Sequence, residues 1–396
     1  MNIPVTTDAN HPALERLYAV RPHWQRVARA RDALGLPDFT LLHAGPPYAD
    51  PCDPAAPVLS SAVLCCLYEN WATTEAQAEQ LIASGQVRLV AAQSFGVVTP
   101  LAAVISPSTT LVEVADPQAP SRRAWSLLGS GTGAQIRFGS RNPAVLPRLA
   151  WRDTLLASAL TAALERSGPI DLFTHAAAGL AGGDDLHART TAATASLRAQ
   201  LSPHIAELPV DAMLADTPLF FLTLWMAACH LMMSAAADGA DPAASLVIAL
   251  AGNGRDVGVR VAGDPHAWTT QPAAAPAGPR LAHTADAIAA PLTGDSGVID
   301  AAGFGAHAFA LAPEPAHAFA TWLPAGWQDA QPTLFPGAHP AFPMLRCALD
   351  AAAVADRSLA PLAAIAMIGA DGRTGLVGRG VYAAPVALFE AALRNH

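Results

Sequence analysis

The sequence predicts a mixed α/β protein with a helical middle, and three observations lead there. Short apolar runs that close on glycine or proline recur towards both ends of the chain, as in FTLLHAGPPY and SLVIALAGNGRDVGVRVAG. Between them, beyond about Asn142, the apolar spacing turns helical. Hydrophobic residues make up 52% of the 396 and charged residues only 14%, so the chain can bury a large core and has the length of two or three domains.

The N-terminal stretch ALERLYAVRPHWQRVARARDALG carries helical spacing throughout. FTLLHAGPPY follows as a strand that must stop, because proline has no amide hydrogen and glycine tolerates unusual backbone angles. His43 therefore sits at a strand end beside a rigid turn, where α/β proteins place ligand crevices and also many purely structural side chains. VLSSAVLCCLYENWATTEAQAEQLIASG reads as a long helix or a helix pair closed by glycine, and VRLVAAQ and LAAVIS as short strands with VTPL and SPST as turns. AVLPRLAWRDTLLASALTAALERSG and ATASLRAQLSPHIAEL are helical. Residues 218–237 are nearly long enough to span a bilayer, yet they contain His230, follow acidic residues and lack flanking arginine, which predicts a buried helix. SLVIALAGNGRDVGVRVAG forms two strands around a glycine turn, and a glycine-rich loop and a helix close the chain.

The net charge of -9 provides no basic stripe for a phosphate backbone, so nucleic acid is not an expected partner. All 23 basic residues are arginine, which excludes a Schiff-base lysine and a P-loop lysine. The five cysteines are odd in number and form no CxxC pair, arguing against a disulfide framework or zinc ribbon. The N-terminus has no basic start followed by an apolar core, which leaves a cytoplasmic location as the expectation.

Three glycine-rich strings carry the candidate chemistry. LLGSGTGAQIRFGSRN sets Gly131 and Gly133 ahead of Arg137, where loop amides can cradle an anion and the guanidinium bind it; most such loops are plain turns. AGLAGGDDLHART groups Asp184, Asp185, His187 and Arg189, either as acid/base groups and ligands for a divalent metal or as a helix N-terminus capped by an aspartate. TGDSGVIDAAGFG places Asp295 and Ser296 in a turn, and no serine lies in a GxSxG elbow.

Taken in order, RPHWQRVARARDALGLPDFTLLHAGPPY, YENWA, VISPS, IRFGSRN, GGDDLHART, FFLTLWMAACH, GNGRDVGVRV and TGDSGVIDAAGFG resemble the YlbE-like family, a domain family of unknown function. The resemblance runs along nearly the whole chain. It implies two α/β lobes with a small helical domain between, here residues 1–148, 149–240 and 241–396. Members are typically encoded beside an FdrA-like protein and a carbamate kinase, and some are implicated as a subunit of oxamate carbamoyltransferase in allantoin breakdown. That enzyme converts oxalurate and phosphate to oxamate and carbamoyl phosphate.

This chain departs from the family pattern. It reads Gly183-Asp184-Asp185-Leu186-His187-Ala188-Arg189-Thr190 where a Gly-Asp-Glu-Cys-His-Asn-Arg-Asn-like string is usual. Gly252-Asn253-Gly254 replaces Arg-Asn-Gly, and AAQSFGVVTP lacks the usual histidine. Such losses imply altered substrate choice or lost catalysis. Phosphorolysis of an oxalurate-like ureide needs an anion pocket, donors for the substrate carboxylate and an acid for the departing nitrogen. The implied anion binders are Arg137 with its glycine loop and Arg189; the acid is His43 or His187; Asp184, Asp185 or Asp295 orients it or holds a metal. Gly45, Asn253 and Ser296 complete the expected binding set. Phosphate is the expected co-substrate, an FdrA-like protein and further copies of the chain the expected partners. A non-catalytic, anion-binding or scaffold subunit is the alternative that the thinned motifs and the apolar helix suggest.

Overall fold

The structure is a computed structural model that describes residues 9–394. Helices and strands mix along the chain, and the strands form several small sheets, giving an α/β fold. The largest sheet has five strands in the order Val97–Val98, Ala119–Leu127, Thr110–Asp116, His23–Arg29, Ile170–Asp171. A second has four, Asp264–Pro272, Asp256–Val261, Val247–Asn253 and Thr293–Gly294, all antiparallel. Thr40–His43 pairs parallel with Arg88–Ala91, and the helices Ala56–Tyr68 and Glu75–Ala83 make the crossover between them. This is the helix pair expected from the sequence; Thr74 caps its second member by accepting from the Gln77 amide.

Two expectations fail, each for a local reason. The N-terminal stretch is not one helical region: the helix Asn10–Ala19 stops before Pro22, and His23–Arg29 is a strand that precedes the short helix Ala30–Leu34. Trp24 and Val27 stand three apart, a helical spacing. A bulge between Trp24 and Arg26 lets both face the core from a strand. LAAVIS is not a strand either. Leu101 adopts φ 48° after Pro100, the Ala102 amide donates to the Arg137 carbonyl at 3.0 Å, and only Ile105 bridges to Leu42.

The apolar helix Phe221–Ala237 is buried along nearly its whole length and packs on the helix Asn10–Ala19 and on the five-stranded sheet. Trp225 lies at the centre of an aromatic cluster with Phe173, Phe221, Phe304 and Phe342. No helix among the described residues is long and apolar enough to cross a membrane. The core containing this helix draws on residues from Ala13 to Ala348, so segments distant in sequence share one interior.

The FTLLHAGPPY turn has a packing explanation. Gly45 has φ +81°, and a Cβ there would lie 2.4 Å from the Gly252 carbonyl carbon, so the GPP turn and the GNG turn meet backbone to backbone. Gly45→Ala combines a left-handed alanine with a clash against main chain that cannot move aside. Its expected cost is about 3 kcal/mol of unfolding free energy, read as a lower urea midpoint; an unchanged midpoint would show that the two turns can separate freely.

Candidate functional site

A cavity of about 370 Å³ gathers Arg137, His187 and Ser296 with Arg280 and Arg379, against apolar walls that include Leu101 and Ile365. Its size is that of a small-molecule site. Arg137 comes from the single turn Ile136–Phe138, which Gly139 ends in a left-handed conformation. His187 lies in the loop between the helices Leu172–Ala181 and Thr191–Leu201. Ser296 precedes the helix Gly297–Ala302, and Arg280 and Arg379 come from the C-terminal third, where Arg280 bridges to Gly378.

His187 is held from behind. Its Nδ1 lies 2.7 Å from the Asp300 carboxylate, whose other oxygen accepts from the Ala306 amide at 2.8 Å and the Ala364 amide at 2.9 Å. A carboxylate can only accept, so Nδ1 carries the hydrogen and Nε2 is left for chemistry. Leu186, just before it, has φ 69°, a conformation costly for leucine. Asp185 builds the loop: its carboxylate accepts from the amides of His187, Ala188 and Arg189 at 3.2, 2.8 and 2.8 Å. Burial pushes this carboxyl up to about 6, against the pull of those amides. Asp184 accepts from the Ala193 amide at 2.9 Å, at the start of the helix Thr191–Leu201, and pairs with Arg189 Nε at 3.2 Å. Asp184 and Asp185 are thus committed to the backbone, and Arg189 to Asp184.

The three cavity arginines differ in how they are satisfied. Arg379 pairs with Glu314 at 2.6 and 3.0 Å, and Arg280 donates to the Ala287 and Thr284 carbonyls. The Arg137 guanidinium has no ion pair, and its buried Nε has no hydrogen-bond partner, among the described residues. It stacks on Phe138 at 5.0 Å. Burial pulls it down to about 10, which leaves it cationic at neutral pH.

The remaining candidates stand elsewhere. Asp295 accepts from the Gly45 amide at 2.9 Å, Gln93 Nε2 at 2.7 Å and the Thr99 amide at 2.8 Å, and burial pushes it up to about 6. Asn253 is spent on turns, donating to the Pro46 carbonyl and accepting from the amides of Arg255 and Asp256. His43 is buried, contacts the Ala44 carbonyl at 2.8 Å and the Tyr48 ring, and does not line the Arg137 cavity. Burial holds it down to about 4, so it is neutral at pH 7. A Cβ on Gly131 would crowd Met213 and Arg148, and one on Gly133 would touch Arg148 again. The glycine loop therefore packs chiefly on Arg148, with Gly131 and Arg137 sharing only a void of about 30 Å³, room for roughly one water.

A family described as oxamate carbamoyltransferase subunit AllG matches residues 87–296. The chain is also 32% identical to oxamate carbamoyltransferase subunit AllG of Escherichia coli (strain K12), over 97% of this chain and 96% of that protein. The chain belongs to the AllG family. It is 28% identical to the uncharacterized protein YahG of the same organism, over 97% of this chain and 84% of that one. In fold, it matches the crystal structure of a conserved protein of unknown function from Enterococcus faecalis V583 with a TM-score of 0.88 at 23% identity, covering 98% and 96% of the two chains.

The part of the chain matched by the AllG family contains Arg137, His187, Arg280 and Ser296, whereas Asp300 and Arg379 lie beyond it. Asp300 is the neighbour of His187 that sequence reasoning missed. It stands in the quoted string TGDSGVIDAAGFG, but nothing local shows that it meets a histidine 113 residues away. Arg280 and Arg379 had no signal beyond being arginines in glycine- and proline-rich segments. No group of three or more His, Cys, Asp or Glu side chains among the described residues is placed to hold a metal ion.

Proposed function

We propose that this AllG-family chain is a subunit of a carbamoyltransferase of ureide nitrogen catabolism, and that the Arg137 cavity is where it handles oxalurate and phosphate or their products, oxamate and carbamoyl phosphate. The observation that carries the reading is the half-buried Arg137 guanidinium, with no ion pair among the described residues, lining the same cavity as His187 of the His187–Asp300 pair. An unpaired buried cation is costly unless an anion completes it. Arg137 binds a carboxylate or phosphate, with Arg280 and Arg379 lending charge and Ser296 a hydroxyl. A phosphate oxygen attacks the carbamoyl carbon and the bond to the oxamate nitrogen breaks. His187 Nε2 takes the proton from the attacking phosphate and returns it to that departing nitrogen, while Asp300 holds the ring. An FdrA-like protein and further copies of this chain complete the proposed assembly, and phosphate is its co-substrate.

A non-catalytic subunit that binds a small anion is the second reading. The apolar walls of the cavity favour it, because Arg137 and His187 are flanked there by Leu101, Leu219, Leu222 and Ile365. Thermal shift with phosphate, carbamoyl phosphate, oxamate and oxalurate tests for an anion site, since a ligand of the native state raises Tm with its occupancy. An assay of carbamoyl phosphate formation with partner subunits then separates the readings. Asp300→Asn is expected to lower turnover about tenfold with little effect on KM for phosphate, because the amide frees the ring tautomer that the carboxylate holds. Unchanged turnover would remove His187 from the chemistry and leave the non-catalytic reading.

A further inference from the structure

We propose that a second cavity, formed by Gln93, His230, Arg260 and Trp268, is a binding site for a small carboxylate carried on a flat apolar body. This cavity, of about 740 Å³, is larger than the one that holds Arg137. Arg260 stands in it without an ion pair among the described residues. Its Nη2 donates to Gln93 Oε1, its Nη1 to the Pro265 carbonyl at 2.8 Å, and its Nε has no hydrogen-bond partner. His230 is only 6% exposed and lines the same space from the apolar helix Phe221–Ala237, with its Nδ1 unpartnered among the described residues.

Burying a histidine nitrogen and a guanidinium NH with nothing to bond costs free energy that a ligand would recover. The ligand chemistry follows from the walls. The Arg260 guanidinium offers charge-assisted donors to an anionic oxygen, and the His230 ring lines the space beside it. Asp238, the carboxylate on the lining, is paired with Arg122 at 2.7 Å, and Asp295, whose charge reaches Arg260, is separated from it by Gln93 and makes no ion pair with it. Leu89, Ile248 and the Trp268 ring, which lies 4.8 Å from the Arg260 guanidinium, present apolar surface beside that charge. A flat carboxylate satisfies both faces of such a site.

The two cavities have no lining residue in common, but a chain of contacts links them. Gln93 accepts from Arg260 with its oxygen and donates to Asp295 at 2.7 Å with its nitrogen, and the next residue, Ser296, lines the Arg137 cavity. The site is nevertheless separate from the proposed carbamoyl-transfer cavity, so the two can be tested apart.

Benzoate serves as the probe and benzamide as its neutral counterpart, titrated by NMR against the whole protein. Benzoate is expected to bind at least about tenfold more tightly than benzamide. Arg260→Gln should erase that preference, Trp268→Ala should weaken both ligands severalfold, and Arg137→Gln should leave benzoate binding intact. Circular dichroism establishes that each variant is folded; Trp268, at the edge of its sheet and partly exposed, provides a second route if Arg260→Gln does not fold. Absence of benzoate binding, equal binding of benzamide, or loss through Arg137→Gln rather than through Arg260 or Trp268 would overturn the proposal.

Discussion

Replacing Arg137 by glutamine is expected to weaken phosphate or oxamate binding by roughly a hundredfold while leaving the fold as stable as before or more so. A hydrogen bond to a charged group contributes about 1.5–3 kcal/mol, and each 1.4 kcal/mol is about tenfold in affinity. The stability half of the prediction follows from the same feature. The native protein keeps the guanidinium partly out of water with its Nε unsatisfied, and burial already pulls its pKa down to about 10. Glutamine removes the charge, and with it a cost to the native state. Loss of binding together with a retained or higher Tm would mark a functional side chain. A lower Tm with binding intact would mark Arg137 as structural and remove the basis of the carbamoyl-transfer cavity.

Between pH 7 and pH 4.5 the protein should lose a large part of its stability. Burial lowers His43, His307 and His339 to about 4 and His230 to about 3. In the unfolded chain each returns to about 6.5. Through that window the unfolded state binds more protons, so stability is present above pH 6.5 and falls as the pH drops towards 4. At pH 5 each such histidine costs the native state about 2 kcal/mol, against a total stability of about 5–15 kcal/mol for a typical protein.

Asp185 and Asp295, pushed up to about 6, act in the opposite sense, since their folded forms hold protons that the unfolded chain releases above pH 4. Burial likewise raises Asp184 and Asp350 and lowers His175, while Arg198 and Arg379 hold Asp211 and Glu314 low, so the lowered histidines and the paired carboxylates together leave acid destabilisation as the net result. The packing explains why these rings resist charging: His307 is buried and stacks on Phe335 at 4.0 Å, and His339 sits edge-on to Tyr18 and Phe173 while its Nδ1 accepts from the Ala341 amide. Urea midpoints measured from pH 7.5 to pH 4.5 should fall steadily, and His307→Phe should flatten the slope by about one proton's worth. A midpoint independent of pH would mean that these rings are not buried in solution.

Most helices were legible because their signals are local. The glycine after Ser84 and the break at Gly168 act within a turn of chain, and the structure ends a helix just before each. The strand His23–Arg29 was disguised because its bulge sets Trp24 and Val27 at a helical spacing, and LAAVIS because an apolar run can be buried without pairing. In the site, the strings IRFGSRN and GGDDLHART drew notice to Arg137 and His187, which share a cavity. The same strings gave equal weight to Asp184 and Asp185; the structure commits both Asp185 oxygens to backbone amides, and divides Asp184 between the Ala193 amide and Arg189.

Composition and local pattern alone settled that the chain is an α/β protein with a buried apolar helix, that no lysine chemistry is open to it, and which strings are rich in chemistry. Only the tertiary structure decided that His187 meets Asp300, that Arg137 has no ion pair among the described residues while Arg189 and Arg379 are paired, and that Gly45 lies against Gly252. The physical reason is range: backbone preference and capping act over a few residues, whereas the state of a charge depends on which distant segments close around it and on how much water they exclude.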